Sequence, residues 1–147
     1  MIRKILIPSD GSALAERAVE RGIELAKATG ASVLGLVVTE PFPTKMYGEL
    51  MLSGVESLQH YFDQEREVAQ RTLSPIEAAA KAAGVSFNGY SIPSDSPANT
   101  IVATAEQEGC DLICMASEDH SNLLGVHMAR KTTWIVTHAR VPVLLCH

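Results

Sequence analysis

Long apolar runs are missing from this sequence, as are an excess of positive charge, paired cysteines and a nucleophile elbow. No stretch approaches the ~20 consecutive apolar residues of a membrane span, so the chain is not expected to cross a bilayer. Twelve Lys and Arg stand against seventeen Asp and Glu, a formal charge of −5 with a pI near 5.5. That balance argues against gripping nucleic acid through its phosphates and against docking on an anionic membrane. Cysteine occurs three times, at Cys110, Cys114 and Cys146, with no C-x-x-C spacing. An odd count at those positions predicts small buried hydrophobes in strands. The basic N-terminus is followed by an apolar run of only Ile5 to Ile7, which lacks the core of a signal peptide. The expected location is the cytoplasm.

Catalytic patterns are equally sparse. No G-x-S-x-G elbow occurs, so Ser9–Asp10, Ser117–Glu118 and His120 read as turn-forming polar residues. His120, His127, His138 and His147 crowd the C-terminal region, but their spacings match no ligand motif, so no metal is expected. Asp63, Glu65, Arg66 and Glu67 read as a solvated helix face. No internal repeat or low-complexity segment appears.

What is present is an ordinary globular composition: 147 residues, 46% hydrophobic and 20% charged. Residues 1–147 read as one domain, long enough to bury ~70% of the surface its unfolded form exposes. Residues 3–8 form a strand whose continuous Ile5–Leu6–Ile7 run suits burial on both faces. The Ser9–Asp10–Gly11–Ser12 turn starts a helix to about Thr29, with Asp10 or Ser12 as cap. Ala15, Ala18, Val19, Gly22, Ile23 and Ala26 line its buried face, and Gly30 ends it. A second buried strand covers 31–39. Residues 40–48, with two prolines, read as an irregular loop. Residues 49–83 read as helix, with Pro75 expected to kink or restart it near a capping Ser74. A weakly alternating strand at 85–92 is expected at a sheet edge. Ser96–Pro97 marks the next helix start.

The last unit decides what the protein can do. Residues 112–115 form an apolar strand, 116–122 a polar loop, and Leu124, Met128, Ile135 and Ala139 a helical stripe. Trp134 on that helix is read as core. An apolar run from Val141 to Cys146 follows. Strands alternating with helices predict an α/β fold, a single five-stranded parallel doubly wound sheet. Ligands would sit at the carboxyl ends of its strands, where loops 8–12, 38–44 and 116–122 meet.

The pieces KILIPSDGS, SPANTIVATAEQEGCDLICMAS and VPVLLC together resemble the universal stress protein family over essentially the whole chain. The resemblance implies an adenine-nucleotide alpha-hydrolase-like (Rossmann-like) sheet with strand order 3-2-1-4-5, and a stress-response role without catalysis. It also implies a homodimer through the last strand, at Val141, Pro142, Val143, Leu144 and Leu145, with no other partner specified. One subclass of the family binds ATP through G-x2-G-x9-G-[ST] after the fourth strand. Glycines there let backbone N–H groups reach phosphate oxygens at a helix N-terminus. Here the three glycine positions hold Ala116, Asp119 and Ala129, and the hydroxyl position holds Arg130. Glu118 and Asp119 would set carboxylates where a triphosphate would lie, so the expected protein carries no ATP and no other cofactor. Arg130 could instead bridge to phosphate. The alternative is a divergent ATP- or AMP-binding member, using Mg2+ with ATP and hydrolysing it weakly, with Pro8, Ser9, Asp10, Val37, Met115, Ala116, Ser117, Ala129 and Arg130 as its site.

Overall fold

The computed structural model describes residues 1–117 and 130–147. β1 (Lys4–Pro8) lies at the centre of the sheet, and α1 (Ala13–Thr29) follows it. The Ser12 hydroxyl accepts from Ala15 N–H at 3.2 Å, capping the first turn, and Gly30 closes the helix at φ 72°. β2 (Ser32–Thr39), α2 (Thr44–Ser53), α3 (Val55–Ala82), β3 (Phe87–Pro93) and α4 (Pro97–Gln107) come next, then β4 (Leu112–Ala116), α5 (Arg130–His138) and β5 (Val143–Cys146). All strands are parallel in the order β3-β2-β1-β4-β5. The expected strand order and the edge position of β3 are therefore what the fold has. Among the described residues, no helix is long and apolar enough to cross a membrane.

Alternation along β1 sends its side chains to two cores. Ile5 and Ile7 join Val19, Ile23 and Ile76 under α1 and α3. Leu6 joins Leu34, Ile101, Ile113 and Ile135 under α4 and α5. Helix α1 lies close on the sheet: a Cβ at Gly22 would fall 2.4 Å from Ile7 Cδ1. Any side chain at that position would make Ile7 shift within the core.

Several boundaries differ from the sequence reading. Residues 40–48 are not all loop, because α2 starts at Thr44, directly after Pro43. Proline cannot donate a backbone bond, which is harmless where a helix begins. The break comes instead at Gly54, whose φ of 99° and ψ of 169° separate α2 from α3. Helix α3 neither stops nor restarts at Pro75, which lies inside it, and the Ser74 hydroxyl accepts from Gln70 Nε2 at 3.1 Å rather than capping a helix. Packing of Ala69, Leu73, Ile76 and Ala80 along that helix holds it through the lost bond. Strand β3 begins at Phe87, since Val85 N–H turns back to Ala80 O. At α4, Pro97 occupies the first turn but the Ser96 side chain makes no capping bond. Ala116, read as loop, pairs with Cys146 within the sheet. Leu124 and Met128 lie outside the described residues.

The turn into β4 is clamped to the start of β1. Asp111 Oδ2 accepts from Arg3 N–H at 2.8 Å and Lys4 N–H at 3.0 Å, and Lys4 Nζ donates to Glu108 O. Those two N–H donors hold the Asp111 carboxyl below the usual carboxylate range. A carboxyl depressed on folding stabilises above its unfolded pKa of ~3.9, and that contribution is lost as pH falls through the folded value. Asp111→Asn is therefore expected to lower the denaturant midpoint at neutral pH, with the gap to the wild type closing below about pH 4. A gap of equal size at pH 3 and pH 7 would contradict this role.

Candidate functional site

The order β3-β2-β1-β4-β5 places the topological switch between β1 and β4, where the two halves of the chain wind in opposite directions. A cavity of about 120 Å³ opens there. Its floor is the carboxyl ends of β1 and β4, with Pro8, Ser9 and Asp10 on one side and Met115 and Ala116 on the other. Leu36 and Val38 of β2 form one wall, Pro97 and Ile101 of α4 another, and Lys131 of α5 adds a cation. The volume lies below the ~300 Å³ at which pockets take whole drug-sized ligands.

The β1–α1 turn is built by its own side chains. Ser9 N–H donates to Leu36 O at 2.9 Å, Gly11 N–H to Ser9 Oγ at 3.2 Å, and Ser12 N–H to Asp10 Oδ1 at 2.9 Å. Capping of α1 falls to Ser12, while Asp10 braces the residue that caps. Partial burial pushes the Asp10 carboxyl up, but hydrogen bonds from Ser12 and the charge of Lys131 together outweigh it. Asp10 is thus held below the ordinary range and is a carboxylate at neutral pH. A carboxylate accepts from N–H donors, the pattern on the edge of an amino-substituted heterocycle.

The structure brings together Pro8, Ser9, Asp10, Met115 and Ala116 of the residues singled out from the sequence. Val37 faces the opposite side of β2, buried with Ala69 and Leu73, and leaves the wall to its neighbours Leu36 and Val38. Arg130 is the exposed first residue of α5, and the adjacent Lys131 is the one that lines the cavity. Ser117 is turned to the chain end: its N–H donates to Cys146 O at 2.8 Å, and its hydroxyl meets His147 Nδ1 at 2.8 Å. Glu118, Asp119, His120, Gly125, His127 and Ala129 lie outside the described residues. Sequence reasoning missed Lys131, though a second cation beside Arg130 was the available signal.

The remaining reactive groups lie elsewhere. All three cysteines are buried and free. Burial pushes the Cys110 thiol up to about 11 and the Cys114 thiol to about 12, with Cys146 close by at 3.8 Å between the sulfurs. Such thiols are poor nucleophiles at neutral pH. Among the described residues no three His, Cys, Asp or Glu side chains converge as a metal site would need. His138 stacks on Trp134 at 4.1 Å and hydrogen-bonds to its carbonyl at 2.9 Å. Trp134 packs against the core under α4 and α5. At the far edge of the sheet, β5 pairs only with β4 among the described strands. Val143 and Leu145 pack inward with Val141, and Leu144 is 40% exposed.

The model of the universal stress protein family matches residues 1–147. A universal stress protein of Methanocaldococcus jannaschii, MJ0531, is 27% identical over 145 residues, 99% of this chain and 82% of that protein. A solved protein of the same family from Burkholderia pseudomallei is 26% identical at a TM-score of 0.72, covering 98% of this chain and 95% of its own. An Arabidopsis thaliana family protein solved with AMP bound has a TM-score of 0.69 at 15% identity, covering 98% and 90%.

Proposed function

This chain belongs to the universal stress protein family, and from that premise we propose that it is a dimeric stress-response binding module that holds no ATP. The observation that carries the reading is the engagement of Ser117. A triphosphate tail past β4 needs free backbone N–H groups. Here the N–H of Ser117 is given to Cys146 O, and its hydroxyl is taken by His147. Ala116, at the first of the glycine positions, is tied into the β4–β5 ladder. Dimerisation through β5 gives the open sheet edge and Leu144 a cover, which an apolar edge strand needs to escape aggregation. Three unpaired cysteines suit a reducing cytoplasm. The proposed role is binding and regulation, as befits the family.

A second reading is supported by the cavity itself. Asp10 at its mouth, apolar walls from Leu36 and Ile101, and the Lys131 cation suit an adenine ring followed by a single phosphate. The relative from Arabidopsis thaliana carries AMP. In this reading the protein is an AMP-level binder with the same fold.

Two measurements separate the readings. Protein purified from its host and acid-denatured should release no stoichiometric ATP, and its melting temperature should not respond to ATP with magnesium. A ligand at a hundred times its Kd stabilises by about 2.7 kcal/mol, a shift of several degrees for a domain of this size. Bound ATP on release, or such a shift with ATP, sinks the first reading. A shift with AMP alone, removed by Asp10→Ala, establishes the second.

A further inference from the structure

The crossover from β2 to α3 displays apolar surface that the fold does not bury. Helix α2 packs on α3, yet its described side chains are all exposed. Met51 is 57% exposed and Leu52 91%, and beyond the Gly54 break Val55 is 82% exposed. An aromatic knot braces the pair from one end. Phe42 meets Tyr61 edge-on at 4.9 Å, Tyr47 edge-on at 5.8 Å and Phe62 at 5.9 Å. Tyr47 and Phe62 remain exposed while making these contacts. The knot holds the hairpin's shape, so the apolar patch is presented on a braced scaffold. Large apolar side chains left exposed close together on helices mark a candidate interaction site.

Charge selects the occupant. Residues 40–67 hold six carboxylates, from Glu40, Glu49, Glu56, Asp63, Glu65 and Glu67, against the cations of Lys45 and Arg66. The segment thus supplies most of the chain's net charge of −5. Only Asp63 and Glu67 have a cation within 4.0 Å among the ion pairs described, from Arg66 and Arg71. A second copy of the same face would bring like charges together, and an anionic membrane would be repelled. A basic amphipathic helix answers both features, its apolar stripe on Met51, Leu52 and Val55 and its Lys or Arg flanks on the carboxylates. Methionine and aromatic side chains suit such a helix because they repack around varied apolar anchors. We propose that the α2–α3 hairpin is a docking surface for a basic amphipathic helix of a partner protein.

The test uses the full chain and a labelled peptide of about 18 residues, five helical turns, with leucines on one face and lysines on the other. A matching peptide with glutamate in place of lysine, and neutral phosphatidylcholine vesicles, serve as rivals. Fluorescence anisotropy should give micromolar binding of the lysine peptide, weakened by salt, and none of the glutamate peptide. Leu52→Gln with Val55→Gln should weaken the lysine peptide at least about tenfold while leaving the melting temperature unchanged. The proposal is overturned by equal binding to the double variant, or by equal binding of both peptides. It is also overturned by capture on the vesicles in place of the peptide, or by self-association that the double variant abolishes.

Discussion

Ile113→Ala is expected to cost about 3–4 kcal/mol of stability and to lower the melting temperature by roughly 10 °C. Ile113 is fully buried in β4. Its backbone pairs with Leu6 on one side and Val143 on the other, and its N–H donates to Pro142 O at 3.0 Å. Its side chain lies in the core shared with Leu6, Ile101 and Ile135. Truncation removes three carbons from a site walled by strands on both sides and by α4 and α5 above, so little can move in to fill the void. The transfer and cavity terms then add, which puts the loss near the middle of the usual range of about 2–5 kcal/mol. Total stability for such a domain is about 5–15 kcal/mol, so one side chain accounts for a large share of it. Guanidinium unfolding, followed by the fluorescence of Trp134, should show a lower midpoint at an unchanged slope. A loss below about 1 kcal/mol, the level of an exposed position, would mean that the core on this face is not where the structure puts it.

The order of strands and helices was legible in the sequence because each element carries its own signal. Ile5–Leu6–Ile7 marks a strand buried on both faces, and Ser12 and Gly30 bound α1 as a cap and a left-handed terminus should. What was not legible depends on contacts between distant residues. Pro75 looks like a break when read locally, but the apolar stripe of α3 buries against β2 and β3 and carries the helix past it. Residues 44–48, the first half of α2, were hidden by the prolines, which precede the helix rather than interrupt it. At the site, Asp10, Met115 and Ala116 were placed by the strand ends alone. The one-residue differences, Val38 and Leu36 for Val37 and Lys131 for Arg130, are of another kind. Neighbours on a strand point to opposite faces, and adjacent helical residues stand about 100° apart, so a register known only to within one residue cannot choose between them. The Ser117–His147 bond spans 30 residues, and no local pattern announces it.

Leu144→Lys is expected to convert the dimer proposed above to a monomer of 15.8 kDa without unfolding it. The position allows the two effects to be separated. Its neighbours Val143 and Leu145 pack under α4 and α5, whereas Leu144 is 40% exposed beside α1, in a groove walled by Arg17, Glu20, Arg21 and Glu24. A lysine there keeps its ammonium in water in the monomer, so the folded chain tolerates it. In a two-fold pairing of β5 strands the substitution appears twice, and each ammonium must shed water against an apolar partner strand. A buried unpaired charge costs several kcal/mol. Even about 3 kcal/mol weakens the dimer more than a hundredfold. Light scattering across a dilution series should show the wild type at twice the monomer mass and the variant at the monomer mass. The wild type's melting temperature should rise with protein concentration, as it does for any assembly that binds only the folded state, and the variant's should not. A variant that keeps the doubled mass would move the interface away from β5. The exposed leucine would then need another cover, because an apolar edge strand left open recruits further copies without limit.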